Sequence, residues 1–182
     1  AALGLKPAGE NGGWFQQVTL RRSARNLDLS RLTLARDGAA PVELVSLEDY
    51  LISTSAVSLA EVTAPVVFAG YGVSDPESGY DDYAGLDVKG KIVAVFSGAP
   101  AGLDSEKRAH FSGGAKSTIA EQRGAVAIIS LPTVASEQRT PWSAVQRFAQ
   151  NLSMTWLHPD GTPNEAAPSM KVSAVLSAEG AR

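Results

Sequence analysis

Apolar and polar positions alternate along most of this chain in short runs broken by Gly, Pro, Asn and Asp, the texture of strands joined by turns. The opening "AALGLKPAGENGG" reads as the tail of a helix stopped by Gly4 and Pro7, and "WFQQVTL" (14–20) as a strand. "LDLSRLTLARDG" (27–38) places Leu27, Leu29, Leu32 and Leu34 in imperfect alternation, so it reads as strand followed by a turn at Asp37-Gly38. "VELVSL" (42–47), "APVVFAGYGV" (64–73) and "KIVAVFSG" (91–98) are further strands. The near-continuous apolar run of 64–73 is the pattern of a strand buried on both faces.

The stretch 105–131, "SEKRAHFSGGAKSTIAEQRGAVAIISL", gives the clearest local unit. Lys116 to Arg123 suits a helix, Gly124 suits the left-handed residue after it, and "AVAIISL" suits a buried strand. In "TPWSAVQRFAQ" (140–150), Thr140 is placed to cap a helix with Pro141 in its first position. Trp142, Val145, Phe148 and Ala149 then share a face expected to meet the core. "SMTWL" reads as a short strand, "HPDGTPNEAAPS" as a polar loop, and "MKVSAVLS" as a final strand. Ser177 before "AEGAR" reads as an N-cap. Both ends read as fragments of elements, so the chain is expected to be a piece of a larger protein.

Composition narrows the function classes. The 182 residues are 44% hydrophobic and 19% charged, values of an ordinary globular domain. A net charge of -3 gives no general attraction to nucleic acid or to acidic membranes. The one basic cluster, "RRSAR" at 21–25, reads as a solvated turn or strand edge. With no cysteine, disulfides, thiolate metal sites and cysteine nucleophiles are excluded. No apolar run reaches membrane-spanning length.

Three stretches carry candidate chemistry. Gly85 to Lys91 has the G-x-x-x-x-G-K spacing of a phosphate loop, yet Ile92 stands where Ser or Thr would bind magnesium, and a strand follows where a helix is needed. Lys89-Gly90 is better read as a tight turn. Asp81 and Asp82 are adjacent, so in extended backbone their carboxylates point to opposite faces and cannot converge as an acid/base pair. A turn or capping role suits one of them. His158-Pro159-Asp160 has the H-x-D spacing of metallopeptidases, but zinc needs three or four ligands and His110 lies in another segment. There is no G-x-S-x-G. Asn151-Leu152-Ser153 is a formal glycosylation sequon, best attributed to chance.

The stretch "PVVFAGYGVSDPESGYDDYAGLDVKGKIVAVFSGAP" (65–100), followed by a helix and "RGAVAIISL", resembles the protease-associated (PA) domain as inserted in the M28 family of zinc aminopeptidases. The matching features are an apolar strand ending in G-Y-G, a Tyr/Asp loop, the "LDVKGKIV" turn into the next strand, and a helix ending in Gly-Ala. The flanks resemble the same proteins more loosely. The resemblance implies a mixed α/β fold of the swivelling β/β/α type, an open barrel or sandwich flanked by a few helices. It also implies a flanking segment over 1–40 and the PA domain over 41–182.

By the same resemblance the chain is a non-catalytic module, a lid, substrate-selecting or protein-binding element. It would sit beside a catalytic domain of the same parent chain that binds two zinc ions. The implied setting is periplasmic or secreted, with a peptide or protein substrate, no nucleic-acid partner and no membrane span. No catalytic or metal-binding residue of the family maps onto this chain, and no cofactor is expected in it. The exposed loop Tyr80, Asp81, Asp82 and Tyr83 is the candidate surface for a substrate or partner. Two other readings stay open: an autonomous metallohydrolase using His158 and Asp160, and a purely structural or oligomerisation module.

Overall fold

The computed structural model describes residues 4–53 and 61–182. In chain order the strands begin with β1 (Leu20–Ser23), β2 (Leu32–Leu34), β3 (Val42–Leu44), β4 (Tyr50–Ile52) and β5 (Val66–Phe68). A short pair follows, β6 (Ser74–Asp75) and β7 (Tyr80–Asp81), and then β8 (Ile92–Phe96). Helices α1 (Ser105–Phe111) and α2 (Ala115–Gln122) lead into β9 (Ala127–Leu131). Helices α3 (Val134–Arg139) and α4 (Trp142–Phe148) lead into β10 (Ser153–Trp156) and β11 (Val172–Leu176). This is a mixed α/β fold built on one five-stranded sheet with a few short helices.

The sheet order is β4-β11-β9-β8-β5. Strands β5, β8, β9 and β11 run parallel, and β4 closes one edge antiparallel to β11. Parallel neighbours need a crossover. Helices α1 and α2 supply it between β8 and β9, and α3, α4 and β10 lie between β9 and β11. The period-two alternation then sorts the apolar side chains. Val93, Val95 and Ile128 pack on one face with Ala120 of α2, Tyr83 and Val88. Ile92, Ile129, Leu131, Ala174 and Leu176 pack on the other with Tyr50, under Leu32 and Leu44 of the β2–β3 ribbon.

Most of the expected elements form, with shifted limits. The turn at Asp37-Gly38, the helix before Gly124 and the strand after it are present. Gly124 has φ +84°, the left-handed conformation that ends a helix without a side-chain clash. Ser177 makes its expected cap bond, its Oγ accepting from the Gly180 N–H at 3.0 Å. The supposed helix tail at the start falls partly on residues 1–3, outside the described residues; from Gly4 to Thr19 the only helical piece is a single 3-10 turn at Glu10–Gly12.

Four expectations are corrected. The strand over 14–20 begins only at Leu20, because among the described residues Trp14 and Phe15 have no strand beside them to pair with, and they stay exposed. The run 64–73 is not buried on both faces. Among the described residues its strand β5 is the sheet edge, paired only with β8, and Val66 and Phe68 are each 50% exposed. Phe68 is instead held edge-on to Phe96, with ring centroids 5.0 Å apart. In α4, Pro141 rather than Thr140 holds the cap position, and Phe148 points to solvent while Ala149 is buried. The polar sequences of α1 and α3 hid two short helices that their caps nevertheless declare. Asp104 accepts from Lys107 N, and Thr133 and Ser136 form a reciprocal capping box.

Strand β1 pairs with β10, outside the five-stranded sheet, with Leu20 opposite Trp156 and Arg22 opposite Met154. Alternation puts these four on one face of the ribbon, and that face is exposed. Arg25, just beyond β1, anchors the segment by donating to the Ile52 carbonyl at 3.0 Å and the Ala149 carbonyl at 2.8 Å. Only the Arg21–Arg22 half of the basic cluster is therefore a solvated strand edge.

The burial pattern makes a direct forecast for stability. Ile128→Ala, at the centre of the helical face, should lower unfolding free energy by about 3 kcal/mol. Val134→Ala, on an exposed helix start, should change it by less than about 0.5 kcal/mol. Urea denaturation of the two variants measures both, and equal losses would contradict the assigned core.

Candidate functional site

The acidic, aromatic hairpin β6–β7 has Asp75 buried and Tyr80 half-buried, its tip exposed, and leads into the buried Tyr83 on the helical face of the sheet. Asp81 and Asp82 diverge, as adjacent residues of extended backbone must. The Asp82 carboxylate accepts from the backbone N–H of Tyr71 at 2.9 Å and of Val73 at 3.1 Å, and from the Tyr80 hydroxyl at 2.9 Å. It therefore ties the Gly70-Tyr71-Gly72 turn to the hairpin. Gly70 has φ +47°, and a Cβ there would collide with that carboxylate. Glycine is required by both the turn and its ligand.

Asp81 serves a second clamp. Its Oδ1 accepts from Tyr83 N at 3.0 Å, an Asx turn, and both its oxygens accept from Arg123 Nη2 at 3.0 and 2.9 Å. Arg123 ends α2, also donates to Ser74 Oγ at 2.9 Å, and stands over the Tyr83 ring with its guanidinium carbon 4.7 Å from the centroid. A third clamp is Asp75, which is buried and accepts from Ser78 Oγ at 2.6 Å and from Lys107 Nζ of α1 at 2.7 Å. The Lys107 ammonium and then the Ser78 hydroxyl hold the Asp75 carboxyl below its usual range.

The structure thus corrects the reading of Tyr80–Tyr83 as one exposed loop. Tyr83 is 1% exposed and packs in the core with Val93 and Val95. Its hydroxyl is buried and has no hydrogen-bond partner among the described residues. Asp82 is half-buried and Asp81 alone of the four is exposed. Burial pushes the Tyr83 phenol up to about 12, and burial with the Asp82 carboxylate does the same to Tyr80.

The other candidates separate. Gly85 to Lys91 runs through a turn into β8, and Lys91 Nζ is held by the Asp87 carboxylate at 3.0 Å and the Asp87 carbonyl at 2.9 Å. Asp160 Oδ1 accepts from Thr162 N at 2.9 Å and Thr162 Oγ1 at 2.6 Å, closing an exposed turn. His158 packs its ring against Trp156, with centroids 4.5 Å apart. Among the described residues, no three His, Asp or Glu side chains gather where they could hold a metal ion. No protein-family model matches the chain, and no curated protein matches it at a significant level. Among the described residues no helix is long and apolar enough to cross a membrane.

One residue escaped the sequence reading. Lys116 is buried, on the face of α2 that carries Ala120 into the core. The signal was available, because 116 and 120 are one helical turn apart and share a face.

Two measurements follow from the tyrosines. Tyr83→Phe removes a hydroxyl that has lost water and gained no partner, so it should leave stability unchanged or raise it by up to about 1 kcal/mol. A loss of that size would mean the hydroxyl is satisfied. Phenolate absorbance should show Tyr80 and Tyr83 titrating near 12. A raised phenol pKa favours the folded state below the unfolded value of about 10, and that contribution is lost as pH climbs from there through 12. Stability should therefore fall over that window, and less steeply in Tyr83→Phe.

Proposed function

We propose that this chain is a non-catalytic protease-associated domain that works beside a zinc aminopeptidase catalytic domain of the M28 type, restricting or selecting peptide access to it. The observation that carries the proposal is the β1–β10 ribbon. It presents Leu20, Met154 and Trp156 on one uncovered face, with Met154 66% exposed. Trp14 and Phe15 are exposed just upstream. Exposed apolar side chains of this size, gathered on one ribbon face, suit a surface that another protein covers. A peptidase domain of the same parent chain is the partner that the resemblance of 65–131 supplies.

The chemistry of the hairpin supports the same reading. Its three aspartates are spent on backbone amides, a phenol, a hydroxyl, an arginine and a lysine, so none is left to convergent acid/base work. His158 packs on a tryptophan and Asp160 accepts from a threonine. Selection of peptides by a rigid sheet edge and its loops needs no reactive group. Work beside an exported peptidase places the domain in the periplasm or outside the cell.

The test is hydrolysis of aminoacyl and dipeptidyl chromogenic substrates by the purified chain, with and without zinc, with bound metal quantified in the same sample. The expected result is no turnover and no stoichiometric zinc. Zinc-dependent turnover that survives repurification and disappears in His158→Ala would overturn the proposal in favour of an autonomous metallohydrolase.

A further inference from the structure

Where β8, β9 and β11 end, the helical face of the sheet opens into a cavity of about 250 Å³. Ile128, Ser130 and Val175 form its floor, α2 one wall, and Trp142 and Val145 of α4 the other. The carboxyl end of a parallel sheet is where open α/β folds bind small ligands. The cavity is independent of the β1–β10 ribbon and of the accessory-domain reading.

Its distinctive component is Lys116. The side chain is 5% exposed, and its ammonium donates to the Phe96 carbonyl at 2.6 Å and lies 5.7 Å from the Tyr71 ring centroid. Among the described residues no carboxylate forms an ion pair with it. An ammonium has three protons to donate, and a buried cation with one neutral acceptor is expensive unless an anion joins it. Burial accordingly pushes Lys116 down to about 8, opposed by the more distant charge of Asp82.

The rest of the lining supplies the complement of a carboxylate. Ser97, Ser117 and Ser130 line the cavity, and their hydroxyls make no hydrogen bond with the described residues. Gly114, the N-cap of α2, offers no side chain to the first turn, so the amides of Ala115 and Lys116 have no capping partner, while those of Ser117 and Thr118 donate to the Gly114 carbonyl. Glu137 and Arg139, the other charged residues of the lining, offset each other in sign. A lining with one net positive charge, hydroxyl-bearing side chains and the aliphatic Ile128, Val145 and Val175 describes a monoanion with an apolar body, rather than a phosphate dianion.

We propose that the cavity binds a small branched-chain monocarboxylate, its carboxylate on the Lys116 ammonium and the serine hydroxyls and its aliphatic end against Ile128, Val145 and Val175.

The test follows the Lys116 side chain by NMR in lysine-labelled whole chain during titration with isovalerate, with isovaleramide as the neutral control and inorganic phosphate as the competing oxyanion. The groups facing Lys116 are the Tyr71 ring, Asp82 and, across the cavity, Glu137 and Arg139. Isovalerate should give a saturable millimolar shift and raise the Lys116 titration midpoint by about one unit. Isovaleramide should do neither. Lys116→Met should weaken isovalerate binding at least about tenfold. If that variant does not fold, Ser130→Ala, which keeps the cation and removes one hydroxyl donor, should weaken it by about threefold. No saturable shift with isovalerate, equal shifts with isovaleramide, or undiminished affinity in the variant that folds would overturn the proposal. Tighter binding of phosphate than of isovalerate would overturn the assignment of the aliphatic floor.

Discussion

The Asp82 carboxylate is the point on which the helical face of this fold is assembled. It gathers two backbone amides from the turn after β5 and one phenol from the hairpin. That single group fixes where the chain leaves the sheet edge and where it returns, and so where Tyr83 enters the core between Gly72 and Val95. Hydrogen bonds to an ionised acceptor are stronger than neutral ones, and losing the acceptor would leave two part-buried amides without partners. The Asp81–Arg123 and Asp75–Lys107 pairs then pin the same hairpin to α2 and α1. A segment that looks catalytic by composition is thereby consumed in holding an edge strand, a hairpin and two helices together.

Two features of the molecule stand apart from this arrangement. The β1–β10 ribbon stands outside the main sheet with its apolar side chains uncovered, which suits contact with another protein domain. The Lys116 cavity at the carboxyl end of the parallel strands has a buried cation, free hydroxyls and an aliphatic floor, which suits a small acid. They differ in chemistry and in place, so each can be tested without the other.

How much of this could be read from the sequence depended on how local each signal was. The strands β8, β9 and β11, the end of α2 at Gly124 and the cap at Ser177 were legible because their determinants lie within a few residues of one another. The exposure of Val66 and Phe68 was not, because an edge strand differs from a central one only in what lies beside it. The divergence of Asp81 and Asp82 followed from the strand period, but their partners Tyr71 and Arg123 could not, being set by a turn and by a helix 42 residues away. Tyr83 was misjudged for the same reason. A tyrosine among aspartates reads as surface until a neighbouring core claims it.

The most direct measurement is denaturant unfolding of Asp82→Ala beside Asp81→Ala. Removal of the Asp82 acceptor should cost about 3 kcal/mol, from amides and a phenol left unpaired. Removal of the more exposed Asp81 pair should cost about 1 kcal/mol. Losses in that order would identify the hairpin as architecture. An Asp82→Ala chain as stable as the parent would contradict it and return the hairpin to candidacy as a functional site.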